Sequence, residues 1–155
     1  MPRKKPALKP FKKLRQAGPN KVALKKTLHK AARRGKAECR HVPWNAVPLE
    51  NLNELLQRQF VVGQEIMVAR VLLKKGCIVP EHSHANEQFT YIMEGALKFW
   101  IDGKVIVVKA GEVLTIPSNM PYKAEAVEDT VDLDVFTPPR ADWMNQTDQY
   151  LRGAK

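Results

Sequence analysis

Gly76-CIVPE-His82-Ser83-His84-ANE-Gln88-FTYIME-Gly95 is the stretch whose reading decides the fold of this chain. On an extended strand residues i and i+2 point to the same face, so His82 and His84 converge on one point. Gln88, a little further along, can bring its carbonyl oxygen to the same point. Two imidazoles and a carbonyl oxygen suit a divalent first-row metal better than calcium or magnesium. An isolated His-x-His is also what two polar histidines beside a turn look like. The glycines that frame it at set distances favour metal or substrate binding.

Outward from this segment the chain reads as short strands. Residues 65–73 (EIMVARVLL) are β-branched and aliphatic and end in a Lys-Lys-Gly turn. Residues 89–93 (FTYIM) and 97–101 (LKFWI) flank Glu94-Gly95. Asp102-Gly103 is a two-residue hairpin signal with VIVV at 105–108 as the return strand. Residues 113–116 (VLTI) stop at Pro117. Residues 131–136 alternate, with Val131, Leu133 and Val135 opposite Asp132, Asp134 and Phe136. Regular turns between short strands predict an antiparallel sandwich or barrel. Residues 49–60 read equally as helix or strand, and Ala141–Lys155 as a short closing segment.

The 155 residues suffice for one domain with a real core plus an arm. Of the 26 Lys and Arg, 14 lie in residues 1–36, and no acidic residue precedes Glu38. The remainder has 12 basic and 16 acidic side chains, a net of −4, so the basicity belongs to the arm. The expected division is a basic, largely disordered arm over 1–40 and a β-domain over 41–155, with a possible short helix between Asn20 and Gly35. The arm fits either a solubilising tail or nonspecific polyanion contact through residues 1–36, and it lacks the aromatic interleaving of base recognition. Cys39 and Cys77 are too few for a disulfide framework. No apolar run reaches the roughly 18 residues that span a bilayer. The basic start lacks a secretory apolar core, which predicts a cytoplasmic protein with no membrane contact.

The spacing Gly76-x5-His82-x-His84-x3-Gln88-x6-Gly95 resembles the first cupin motif, with Gln88 where Glu is more usual. Gly111-EVLTI-Pro117-SNMP-Tyr122 resembles the second, with Asn119 in place of a glycine and Tyr122 where a third histidine ordinarily falls. The resemblance spans residues 42–150 and implies an all-β cupin double-stranded β-helix, a jelly-roll-like barrel that is usually a homodimer. The ending Asp134-Val-Phe136-Thr-Pro-Pro-Arg140-Ala-Asp142-Trp143 is similar to the pectin-degradation cupins of the KdgF type. That group converts 4,5-unsaturated uronates to the linear keto form. The resemblance implies catalytic positions at Asp134, Phe136 and Arg140. It also implies a divalent transition metal (Zn, Ni, Mn or Fe) at His82, His84 and Gln88, with Tyr122 adjacent.

These residue types suit that chemistry. Ring opening needs a base at the anomeric hydroxyl and a cation for the carboxylate of a small acidic sugar. Arg140 offers a planar, permanently charged fork. Asp134 shares a strand face with Phe136, where an apolar setting would raise its pKa. A metal would polarise a substrate oxygen. Asp134 and Arg140 would equally make surface ion pairs, and Phe136 would equally pack a core. Two other functions suit the same histidines: oxygenase-like metal chemistry, or non-enzymatic binding of a sugar or acid, in which case the arm would contact nucleic acid. A neutral phenol at 122 is a poor metal ligand.

Overall fold

Turn residues cut the chain into short extended segments, and period-2 alternation then sorts each segment's side chains between interior and exterior. A computed structural model describes residues 38–153. The expectations for the arm, including its helix and its polyanion contact, fall on residues outside this range. The strands are β1 (Glu50–Asn53), β2 (Leu56–Val62), β3 (Met67–Leu73), β4 (Ile78–His82) and β5 (Glu87–Glu94). They continue with β6 (Ala96–Ile101), β7 (Lys104–Lys109), β8 (Val113–Ile116), β9 (Tyr122–Ala126) and β10 (Thr130–Thr137). A 3-10 turn at Trp44–Ala46 precedes them, and a one-turn helix α1 (Ala141–Met144) and a second 3-10 turn (Gln149–Leu151) follow.

The strands form two antiparallel sheets, as the alternation predicts. One is six-stranded in the order β1-β2-β3-β10-β5-β8, and the other is four-stranded in the order β4-β9-β6-β7. Their inner faces share one core, which includes Met67, Ala69, Ile92, Leu97, Phe99 and Phe136. Each large apolar side chain buried there contributes about 1.5–3 kcal/mol. The outer face of β5 carries Phe89, Tyr91 and Met93 exposed.

The undecided window 49–60 is the hairpin of β1 and β2. Leu52, Leu55 and Leu56 mimic helical spacing, but Asn53 breaks it by accepting the Leu55 N–H on its side-chain oxygen. Leu56 and Arg58 then both point inward and are buried. Asp102 and Gly103 have φ of 51° and 67°, the double positive turn that closes the β6–β7 hairpin.

The strand register places the polar interior in rows across the six-stranded sheet. Val62, Met67, Phe136, Gln88 and Ile116 are aligned partners in one row. Phe60, Ala69, Asp134, Thr90 and Leu114 make the next, and Arg58, Val71, Asp132 and Ile92 the one after. On β10 the buried side is therefore Asp132, Asp134 and Phe136, while Val131, Leu133 and Val135 are only half-buried. One expectation needs correction. His82 ends β4, and His84 lies beyond it in the loop, so the two histidines do not share a strand.

Gly95 is the one framing glycine pressed by its surroundings. Its φ is +79°, and a Cβ there would collide with the Asp129 carbonyl and lie 2.7 Å from Thr130 Oγ1. Gly103 is also left-handed, but nothing lies within 4 Å of its Cβ position. Gly103→Ala is expected to cost about 1 kcal/mol of backbone strain. Gly95→Ala is expected to cost about 2–4 kcal/mol, because overpacking adds to the strain. Urea unfolding of the two variants measures the difference, and equal losses would contradict the packing at Gly95.

Candidate functional site

The side-chain amide of Gln88 sits where the two sheets meet. Its Oε1 accepts a hydrogen bond from the Tyr122 hydroxyl at 2.9 Å and lies 3.0 Å from His84 Nε2. Its Nε2 donates to Thr90 Oγ1 and to Asp134 Oδ1, both at 2.8 Å. The Thr90 hydroxyl donates to the same Asp134 oxygen at 2.6 Å. All the donor and acceptor capacity of the amide is thus in use, which fixes its orientation.

His82 pairs with Tyr122 in the β4–β9 register, which carries both into the same region as Gln88. The loop holding His84 is anchored where Asn119 N–H donates to the His84 carbonyl at 2.7 Å. Asn119 adopts a φ of 64°, a conformation that Asn tolerates better than most side chains. The His82 and His84 ring centroids are 5.8 Å apart, so the two converge although only one is on a strand. His82 Nδ1 faces the Pro80 carbonyl at 2.9 Å. Donation there leaves Nε2 with its lone pair, the arrangement of a metal-binding histidine.

Burial keeps both imidazoles neutral. It lowers the pKa of His82, and with Arg140 and His82 nearby it takes His84 down to about 4. Burial and the charge of Asp134 push the Tyr122 phenol well above its ordinary range, so it remains a donor. Asp134 is raised to about 6 by burial, against the pull of Thr90, Gln88 and Arg140. Asp132 is pushed well up by burial and by the neighbouring Asp134.

Arg140 is only 1 % exposed. Its Nε and Nη2 grip Asp142 Oδ1 and Oδ2 at 2.9 and 2.7 Å, and Nη2 also donates to the Tyr150 hydroxyl at 2.8 Å. The fork that the sequence offered for a ligand carboxylate therefore holds an internal one. Phe136 is fully buried, with its ring edge-on to those of His84 and Trp143. The closing segment supplies Trp143 and Tyr150, and the Tyr150 ring stacks on His82 at 4.5 Å.

These groups line a cavity of about 50 Å³. His82, Gln88, Tyr122, Asp134, Phe136 and Arg140 are on its wall, and His84 stands behind Gln88. Arg58, Thr90, Asp132 and Tyr150 also line it and were not foreseen. Asp132 was within reach of the sequence, since it shares the face of Asp134. Arg58 was hidden in the undecided window. Its Nε donates to Glu50 at 2.9 Å and its Nη1 to Asp148 at 2.5 Å.

For a metal, the fit is acceptable. His82 and His84 are neutral, and Gln88 Oε1 already faces His84 Nε2. His84 Nδ1 is buried without a well-formed hydrogen bond, and the ring's other polar neighbour besides Gln88 is the Asn86 backbone. Among the described residues no group of three His, Cys, Asp or Glu forms a metal cluster, so Gln88 would have to complete the set.

The raised pKa of Asp134 has a stability consequence. An acid with a folded pKa above its unfolded value of 3.8 favours folding at low pH, and this contribution disappears as pH rises through about 6. In chelator-treated protein, Asp134→Asn should therefore gain stability relative to wild type between pH 4 and 6, by up to about 1.4 kcal/mol per pH unit. Denaturant titrations at several pH values test this. A difference independent of pH would mean that Asp134 titrates as an ordinary carboxyl.

With this geometry in hand, comparison with known proteins gives a consistent result. Residues 69–137 match the family described as a cupin domain. The chain is 27% identical over 100 residues to the pectin degradation protein KdgF of Dickeya dadantii (strain 3937), covering 63% of this chain and 91% of that protein. The structure of KdgF from Halomonas sp. superposes with a TM-score of 0.59 at 23% identity, over 62% of this chain and 90% of that one. An RmlC-like cupin from Shewanella frigidimarina NCIMB 400 gives 0.64 at 24% identity, over 70% and 99%. A predicted oxalate decarboxylase from Thermotoga maritima gives 0.58 at 21% identity, over 64% and 100%. At such identities the structural matches speak for the fold.

Proposed function

The chain is a small cupin that resembles KdgF, and from this we propose that it opens 4,5-unsaturated uronates to their linear keto form. The observation that carries the reading is Asp134, a buried carboxyl with a pKa of about 6 on the wall of a cavity it shares with Arg140. Asp134 Oδ1 is held by Thr90 and Gln88, which leaves Oδ2 to take a proton.

In the reaction, the anomeric O–H proton passes to Asp134, and its bonding electrons form the C1 carbonyl. The C1–O5 bond breaks with its electrons on O5, giving an enolate. Asp134 then returns the proton to C4, which forms the C5 ketone and restores the carboxylate, so substrate and product are isomers. Arg140 holds the substrate carboxylate by the guanidinium edge not taken by Asp142. Phe136 and Trp143 exclude water beside the reacting carbons. A divalent metal at His82, His84 and Gln88 would supply Lewis acidity toward a substrate oxygen. Tyr122 keeps the Gln88 amide turned toward Asp134 through its own hydrogen bond. At about 50 Å³ the cavity is smaller than a monosaccharide, so this reading requires it to widen when substrate enters.

A second reading, binding of a sugar acid without turnover, draws on Tyr122 in the place of a histidine. The test is the loss of ultraviolet absorbance from the unsaturated sugar, alongside metal titration of the apo-protein. Wild type should accelerate the loss, and Asp134→Asn should lower turnover by about 100-fold or more with little change in binding. Arg140→Ala should weaken binding. His84→Ala should abolish metal binding, whereas Tyr122→His should strengthen it. Binding of the sugar with no acceleration by wild type would transfer the case to the second reading.

A further inference from the structure

We propose that Asp132 is a specificity residue that takes a hydrogen bond from a ligand hydroxyl in the cavity, selecting a hydroxylated monocarboxylate over a dicarboxylate of the same length. The proposal rests on the uronate reading for the nature of the ligand, and it concerns a residue that the reading does not use.

Asp132 is 4 % exposed, and its Oδ1 is enclosed without a hydrogen bond among the described residues. A carboxyl in that state is costly, because it gives up water without gaining a partner. Val71 is its neighbour across the sheet, and Leu56, Leu73, Leu97 and Phe99 line the same cavity. An aliphatic residue would pack there more favourably. A buried polar group kept at such expense is a mark of a ligand-facing position.

A second unsatisfied group narrows the ligand. Arg58 Nη2 is also buried without a partner and lines the same cavity. Arg58, Val71 and Asp132 are successive partners in one cross-strand row, so the outer two are about 10 Å apart at the backbone. The charge of Arg58 is already offset by Glu50 and Asp148, so it offers the N–H donors of Nη2 and no free charge. An unpartnered donor and an unpartnered carboxyl on one cavity wall match a polyhydroxylated ligand, whose hydroxyls accept from Arg58 and donate to Asp132. A second carboxylate would instead face Asp132 and Asp134. The acid end of the ligand then lies toward Arg140 and the hydroxyl end toward Asp132.

The test uses the full chain and two saturated, unreactive acids, D-galacturonate and its dicarboxylate counterpart galactarate. Calorimetry should show that wild type binds galacturonate at least about tenfold more tightly than galactarate. Asp132→Leu should raise the melting temperature, since an orphaned carboxyl is replaced by apolar packing, yet weaken galacturonate by about tenfold, one lost hydrogen bond to a buried group. Asp132→Asn keeps size and an acceptor and leaves the shared negative charge on Asp134, so it should retain most of the galacturonate affinity and the preference over galactarate. Asp132→Ala, with the same loss of galacturonate affinity expected, replaces the leucine variant if that does not fold. A raised melting temperature with both affinities unchanged would show that Asp132 meets only water, and equal binding of the two acids by wild type would overturn the selectivity. Failure to bind galacturonate at all would also overturn the proposal. Turnover of the unsaturated sugar is measured separately, so the enzymatic reading can stand or fall by itself.

Discussion

The amide of Gln88 is the joint on which the interior depends. It takes a hydrogen bond from Tyr122 in one sheet and gives two to Thr90 and Asp134 in the other. An amide can satisfy these three contacts and face His84 in only one orientation, because its oxygen cannot donate and its nitrogen cannot accept. Carboxylate at this position would offer oxygens on both sides and repel Asp134. The glutamine that departs from the usual cupin motif thus allows a buried carboxyl to stand beside it. The orientation of Asp134, the placement of His84 and the role of the Tyr122 phenol all follow from this one side chain.

The second constraint is ionic and holds the closing segment. Arg58 reaches Asp148, while Arg152 reaches both Asp148 and Glu50. Asn53 adds a hydrogen bond to the Leu151 carbonyl. The guanidinium groups of Arg58 and Arg140 lie 4.3 and 5.0 Å from the Trp143 ring centroid. Desolvated cation–π contacts and paired charges make the segment's docking specific, because each buried charge needs its partner in place. The barrel end is consequently covered by residues whose positions depend on the same arginines that border the cavity.

Much of the fold was legible because its signals are local. Asp102-Gly103 needs two positive φ values, and the alternation of residues 131–136 survives any neighbour. The hairpin at 50–62 was not legible, since Leu52, Leu55 and Leu56 fit a helix as well as a strand and only the Asn53 turn decides. Alternation also names two faces without saying which is inside. On β10 the aspartates face inward, a choice visible only once the cavity and Arg140 are present. His82, His84 and Gln88 were found from spacing and do converge, although His84 reaches the site from a loop. Arg140 was read as an open fork, and nothing in its own motif shows that Asp142, two residues on, folds back to fill it.

Charge accounting then links the acid ligand to the proposed cation. Arg58 and Arg152 are matched by Glu50 and Asp148, and Arg140 by Asp142. The histidines and Tyr122 are neutral, so the unmatched charge inside is whatever Asp132 and Asp134 carry between them. Mutual repulsion and burial restrict that to about one negative charge near neutral pH. An entering carboxylate adds a second in the same low-dielectric space, which is unfavourable unless a proton or a cation accompanies it. A divalent ion on three neutral ligands would bring the matching two positive charges. The neutrality of His82, His84 and Gln88, which weakens their hold on a metal by itself, is therefore what would make metal and acid ligand bind better together than either does alone.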